Sequence, residues 1–102
     1  NITLTLSTAA EDLIVVEKGQ TSITVQWQKS VSLEQDHLSG FKIRYRKFGN
    51  KEYAYHKLSQ WELTAKISGL ESNTLYEISV AGYSEGGTGL YAKRITERTK
   101  RG

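Results

Sequence analysis

The residues best suited to act on something outside the chain are cations and phenols that sit close together. Lys42, Arg44, Arg46, Lys47, Lys51 and Lys57 crowd one short stretch in which Glu52 is the only acid. Tyr53 and Tyr55 lie within the same stretch, and Tyr83 belongs with them if its neighbours Ile78 and Val80 point inward. A guanidinium fits a carboxylate or a sulfate through paired hydrogen bonds. Such a patch can therefore hold an acidic protein surface, a sulfated polysaccharide or an anionic lipid. Tyrosine, tryptophan and arginine also dominate interface energies, so Arg44, Arg46, Tyr53, Tyr55 and Tyr83 form a candidate protein contact. The plainer reading is that long charged side chains cover a solvent face and guard an edge. For the rings, it is that Tyr55 and Trp61 roof an edge of the fold.

Catalysis and metal binding have much thinner support. The chain has two histidines, His37 and His56, and no Gly-x-Ser-x-Gly elbow around any serine. Glu34, Asp36 and His37 share one loop, but three ligands on a single loop lack the framework of a structural zinc site. Gly86-Gly87-Thr88-Gly89 lacks the lysine of a phosphate-cradling loop and opens onto a strand. Cysteine is absent, which excludes a disulfide scaffold, a thiolate metal site and a cysteine nucleophile. The expectation is a chain that is not an enzyme and has no cofactor and no metal.

The 102 residues suit one domain, and 37% hydrophobic with 25% charged residues is ordinary for a folded one. A net charge of +3 is far from the dense basic stripe of a nucleic-acid binder, so no nucleic-acid partner is expected. The longest apolar run, Leu13-Ile14-Val15-Val16, is far short of the roughly 20 residues that span a bilayer. No direct membrane insertion is expected of this segment, and any targeting signal lies outside it or was removed.

These side chains are positioned by elements of period two. Ile23, Val25 and Trp27 alternate with Thr24, Gln26 and Gln28, and Phe41, Ile43 and Tyr45 alternate with Lys42, Arg44 and Arg46. Leu63, Ala65 and Ile67 follow the same rule, as do Tyr76, Ile78, Val80 and Gly82 against Glu77, Ser79, Ala81 and Tyr83. Each run reads as a half-buried strand of an antiparallel sheet. Turn signals at Gly19, Gly40, Gly49-Asn50, Gly69 and Gly86-Gly87 punctuate the runs, and seven strands can be counted, near 12–18, 21–28, 40–48, 52–58, 62–68, 74–84 and 89–97. Short strands without intervening helices indicate a sandwich or a small barrel. Residues 1–10 read as a linker or the end of a preceding domain, although Ile2, Leu4 and Leu6 alternate like a strand. Residues 11–99 read as the domain and 100–102 as linker. Asn1-Ile2-Thr3 is a glycosylation sequon.

Leu70-Glu71-Ser72-Asn73-Thr74-Leu75-Tyr76 resembles the Leu-x-Pro-x-Thr-x-Tyr of fibronectin type III domains, with Ser72 in place of the proline. Tyr76-x-Ile78-x-Val80-x-Gly82-x-Ser84, Gly87-x-Gly89, the Trp27 that ends its strand, Gly40-Phe41-Lys42-Ile43-Arg44-Tyr45-Arg46 and the closing Thr99 continue the resemblance in order. It implies a seven-stranded immunoglobulin-like antiparallel β-sandwich over residues 11–99. It also implies a non-catalytic module for protein interaction or spacing in the extracellular part of a cell-surface adhesion or receptor protein. A secreted matrix protein is the alternative location, and an intracellular or enzyme-attached array an alternative setting. Partners would be proteins and adjacent domains of the same chain, with heparan sulfate as the alternative ligand of the basic patch. No Arg-Gly-Asp tripeptide and no Trp-Ser-x-Trp-Ser box occurs, so those family functions do not transfer.

In such a sandwich Trp27 and Tyr45 should anchor the contact between sheets, with Leu70 plugging one end. The Tyr76 hydroxyl should bond to backbone a few residues upstream and pin the crossover. Gly87 and Gly89 should supply positive φ in the last hairpin, and Tyr91 should fill the space left at Gly82.

Overall fold

In the computed structural model the described residues are 9–29 and 38–102, and within them the alternating runs become strands. They are β1 (Ala10–Lys18), β2 (Ile23–Lys29), β3 (Gly40–Lys47), β4 (Ala54–Ser59), β5 (Thr64–Ile67), β6 (Leu75–Ser84), β7 (Gly87–Tyr91) and β8 (Ile95–Arg98). All pairings are antiparallel. A smaller sheet runs β1-β2-β5, and a larger one runs β4-β3-β6-β7 with β8 also on β6. The sequon at Asn1, the alternating Ile2, Leu4 and Leu6, and the Glu34-Asp36-His37 loop lie outside the described residues.

Eight strands stand where seven are expected because the last one breaks. β7 pairs the end of β6 at Ala81, Tyr83 and Ser84, and β8 pairs its beginning from Leu75 to Ile78. Between them the Ser79 hydroxyl donates to the Ala92 carbonyl at 2.6 Å, and the Ala92 N–H donates to the Val80 carbonyl at 2.8 Å. The break is thus held by hydrogen bonds, with the backbone groups at Ala92 satisfied. At the other end of the chain β1 starts at Ala10 and carries Asp12 at φ 57°, with a register shift between Glu11 and Ile14. This extra residue is a bulge, which bends an edge strand and discourages further pairing.

The two sheets meet on Ile23, Val25, Trp27, Phe41, Ile43, Ile78 and Val80, all essentially inaccessible to solvent. The Trp27 ring meets Phe41 edge to face at 5.6 Å between centroids. Phe41, rather than Tyr45, is therefore the main ring opposite the indole. Tyr45 sits four residues further along β3, partly buried at the margin of the core. Leu70 is buried with the core, and its N–H donates to the Thr21 carbonyl at 2.9 Å.

The crossover into β6 is tied as the resemblance implies. The Glu71 N–H donates to the Tyr76 hydroxyl at 2.9 Å, which satisfies a buried phenol and fixes the turn above it. Asn73 takes φ 51° in that turn, a conformation asparagine tolerates better than most residues. Thr99 is buried there: its hydroxyl donates to the Glu71 carbonyl at 2.5 Å and accepts from the Thr74 N–H at 3.0 Å.

Two glycine expectations need correction. Gly87 has φ 121°, but Gly89 has no positive φ. A Cβ at Gly82 would lie 2.5 Å from the Ala9 Cβ and 2.7 Å from the Leu38 Cδ1. Those two side chains take the space, not Tyr91. Tyr91 pairs with Ala81 across the sheet and belongs to the outer face.

Candidate functional site

β3 places its cations by simple alternation. Phe41 and Ile43 enter the core, so Lys42, Arg44 and Arg46 emerge together on the outer face of the larger sheet. Across the β3–β4 ladder Lys42 faces Lys57 and Arg44 faces Tyr55; across β3–β6 Arg46 faces Glu77. Like charges directly opposite one another destabilise a sheet. Here each ammonium turns toward a ring instead. Lys42 Nζ lies 5.8 Å from the Tyr55 ring and donates to Thr88 Oγ1 at 2.8 Å, while Lys57 Nζ lies 5.0 Å from the Tyr83 ring.

Arg44 is the centre of the array. Its guanidinium carbon lies 4.4 Å from the Tyr53 ring centroid and 4.0 Å from that of Tyr91. Arg46 also stacks on Tyr53, at 4.2 Å, and Tyr53 leans on Tyr55 with centroids 6.3 Å apart. A cation over a ring face gains about 0.5–2 kcal/mol, more as water is excluded. The Arg44 Nε is buried without a hydrogen-bond partner, so the rings are what hold this side chain. Burial raises the Tyr91 hydroxyl above its ordinary pKa; the Arg44 charge opposes this, and Tyr55 adds to it.

Beneath the array lies a buried carboxylate. Glu77 Oε1 accepts from Arg46 Nε at 3.0 Å and from Arg94 Nη1 at 3.1 Å, with the Glu77 side chain 4% exposed. Burial alone would raise its pKa. The hydrogen bond and charge of Arg46, then the charge of Arg94 and the Gly49 backbone, outweigh burial and hold it below the ordinary value. Glu77, Ser79 and Ala81 are all buried, which overturns the expected half-exposed alternation of this strand. β6 is covered on both faces, by the core on one and by the arginines and Tyr91 on the other.

The structure thus brings together Lys42, Arg44, Arg46, Tyr53, Tyr55, Lys57 and Tyr83. Lys51 is exposed in the β3–β4 turn, beside the array in sequence. Tyr55 and Trp61 do not roof an edge: they are 58% and 78% exposed. Trp61 projects from the β4–β5 turn with Lys29 Nζ 5.2 Å from its ring. Sequence reasoning missed Glu77, Tyr91 and Arg94. Glu77 had a signal, since an acid on the outer phase of β6 meets Arg46 in register. Tyr91 and Arg94 lie at and beyond the end of β7, where the broken strand interrupts the alternation.

Two antiparallel layers, a crossover tied by a phenol and no helix among the described residues define an immunoglobulin-like β-sandwich. The family model of the fibronectin type III domain matches residues 8–98, and the chain belongs to that family. It is 37% identical to protein sidekick-1 of Gallus gallus over 93 residues, covering 86% of this chain and 4% of that protein. It is 31% identical to contactin-3 of Homo sapiens over 80 residues, covering 76% of this chain and 7% of that protein. The chain therefore spans a small part of the relatives it matches. The solution structure of the fn3 domain of human contactin 1 superposes with a TM-score of 0.82 at 20% identity, over 100% of this chain and 90% of that one.

Proposed function

We propose that the chain is a non-catalytic protein-interaction module in the extracellular region of a cell-surface adhesion or receptor protein. A protein partner docks on the outer face of its larger sheet. The observation that carries this reading is the array of four cations, Lys42, Arg44, Arg46 and Lys57, set against the rings of Tyr53, Tyr55, Tyr83 and Tyr91. Tyrosines and arginines already stacked on one another lose little conformational freedom when a partner arrives. Glu77, the acid beneath the array, is neutralised from two sides, so the face favours a carboxylate-bearing surface. The setting is supported by relatives such as sidekick-1 and contactin-3, multidomain cell-surface adhesion or receptor proteins.

A photo-crosslinking residue in place of Tyr55, compared with one in place of Gln26 on the opposite sheet, tests the reading in the full-length protein on cells. Adducts with a second protein from position 55 and none from position 26 support it. Equal yields from the two positions contradict it. Heparan sulfate is the second reading, favoured by the excess of cations on this face. It gains if heparin retention falls on charge reversal of Lys42, Arg44 and Arg46 while position 55 yields no protein adduct.

A further inference from the structure

Residues 98–102 read Arg98-Thr99-Lys100-Arg101-Gly102, with an arginine at the fourth position before the Arg101–Gly102 bond and a Lys-Arg pair immediately before that bond. Arg98, Lys100 and Arg101 are exposed, whereas Thr99 between them is buried at 2%. We propose that this segment is a recognition sequence for a subtilisin-like serine endoprotease of paired-basic specificity, and that the fold itself holds it shut. The reaction is hydrolysis of the Arg101–Gly102 amide. The C–N bond breaks, the oxygen of water goes to the Arg101 carbonyl carbon, and a proton goes to the Gly102 nitrogen.

An endoprotease takes its substrate as an added strand, using the backbone N–H and C=O groups of the residues before the cut. In the folded chain three of those groups, at Thr99 and Lys100, are already committed. The Thr99 N–H donates to the Thr74 carbonyl at 3.0 Å, and the Lys100 N–H donates to the Gly19 carbonyl at 2.9 Å. The Lys100 carbonyl accepts from the Asn73 N–H at 3.0 Å, and Arg98 Nη1 donates to the Asn73 carbonyl at 3.2 Å. The Thr99 hydroxyl adds its two bonds to Glu71 and Thr74. The basic side chains advertise the site to an acidic cleft while the backbone at Thr99 and Lys100 is tied to the fold. Cleavage then follows the population of a locally opened state, with the end of β8 released from both the crossover and the β1–β2 turn.

A second Lys-Arg pair supplies an internal contrast. Lys93-Arg94 is also exposed, but the residue four before its cleavage point is Tyr91, so it lacks the distal arginine.

The test is cleavage of the whole chain carrying an affinity tag after Gly102, by such an endoprotease, beside a peptide of residues 96–102 with the same tag. The peptide is cut after Arg101, and the folded chain is cut at the same bond at least about tenfold more slowly. Thr99→Val, which keeps the side-chain shape and removes the hydroxyl bonds, speeds cutting of the folded chain by about tenfold. Should that variant fail to fold, the native chain in mild urea carries the same test, with cleavage rising as the opened population rises. Arg101→Ala abolishes cleavage in both forms. An uncut peptide, a folded chain cut as fast as the peptide, or cleavage after Arg94 in place of Arg101 overturns the proposal.

Discussion

The outer faces of the two sheets start from the same strand pattern and end differently. On the smaller sheet Ile14 and Val16 of β1 remain about half exposed, and Gln26 and Gln28 of β2 face water. On the larger sheet the corresponding positions of β6 are buried, under arginines that are themselves stacked on tyrosines. The difference lies in what the neighbouring strands contribute. β3 brings Lys42, Arg44 and Arg46, the β3–β4 turn and β4 bring Tyr53 and Tyr55, and β7 brings Tyr91. A cation and a ring on adjacent strands meet at the spacing of a sheet, and together they exclude water from the strand between them. One face of this sandwich is therefore a solvated wall, and the other carries a third, partly dry layer.

Removing the core beneath both faces should have the largest effect. Trp27→Ala should cost about 3–5 kcal/mol and Leu70→Ala about 2–5 kcal/mol in urea unfolding. A loss below about 1 kcal/mol at both would mean that the faces are assigned backwards. Next is the crossover. Tyr76→Phe leaves the Glu71 N–H without its acceptor, and about 1–3 kcal/mol should be lost in the same measurement. The two outer faces are compared directly by Arg44→Ala and Gln26→Ala. The first should lose about 1–2 kcal/mol with its two ring contacts, and the second should stay within about 0.5 kcal/mol of native.

The pH dependence sharpens the same contrast. Glu77 is held below its ordinary value of 4.5, so its contribution to stability is complete above that pH and is lost as the pH falls through its lower folded value. Unfolding midpoints measured from neutral to strongly acid pH should fall more steeply for the native chain than for Glu77→Gln. Parallel curves would mean that the carboxylate is not paired in solution.

Most of the inner architecture was legible from the sequence. Period-two runs placed β2, β3 and β6, because a residue facing the opposite sheet must be apolar whatever surrounds it. The Leu70–Tyr76 motif placed the crossover through its resemblance to the family pattern, and the Tyr76 hydroxyl does reach back to the Glu71 N–H. The exchange of Tyr45 for Phe41 was not legible, since alternation gives the face of a strand but not how far along it the core extends. The outer layer was half legible. The phase of Lys42, Arg44 and Arg46 followed from alternation, but the ring that meets each cation depends on strand register, which a single sequence leaves open. Tyr91 was misplaced for that reason. The break between β7 and β8 rests on hydrogen bonds from Ser79 and to Val80, contacts between positions far apart in the chain.

The central claim is that the cations and rings of the larger sheet form one pre-assembled layer. A double-mutant cycle on Arg44→Met and Tyr91→Leu, read by urea unfolding, tests it most directly. Stacking at 4.0 Å predicts a coupling of about 0.5–1.5 kcal/mol between the two sites. Strictly additive effects would show that guanidinium and ring merely share a surface, and would contradict the account.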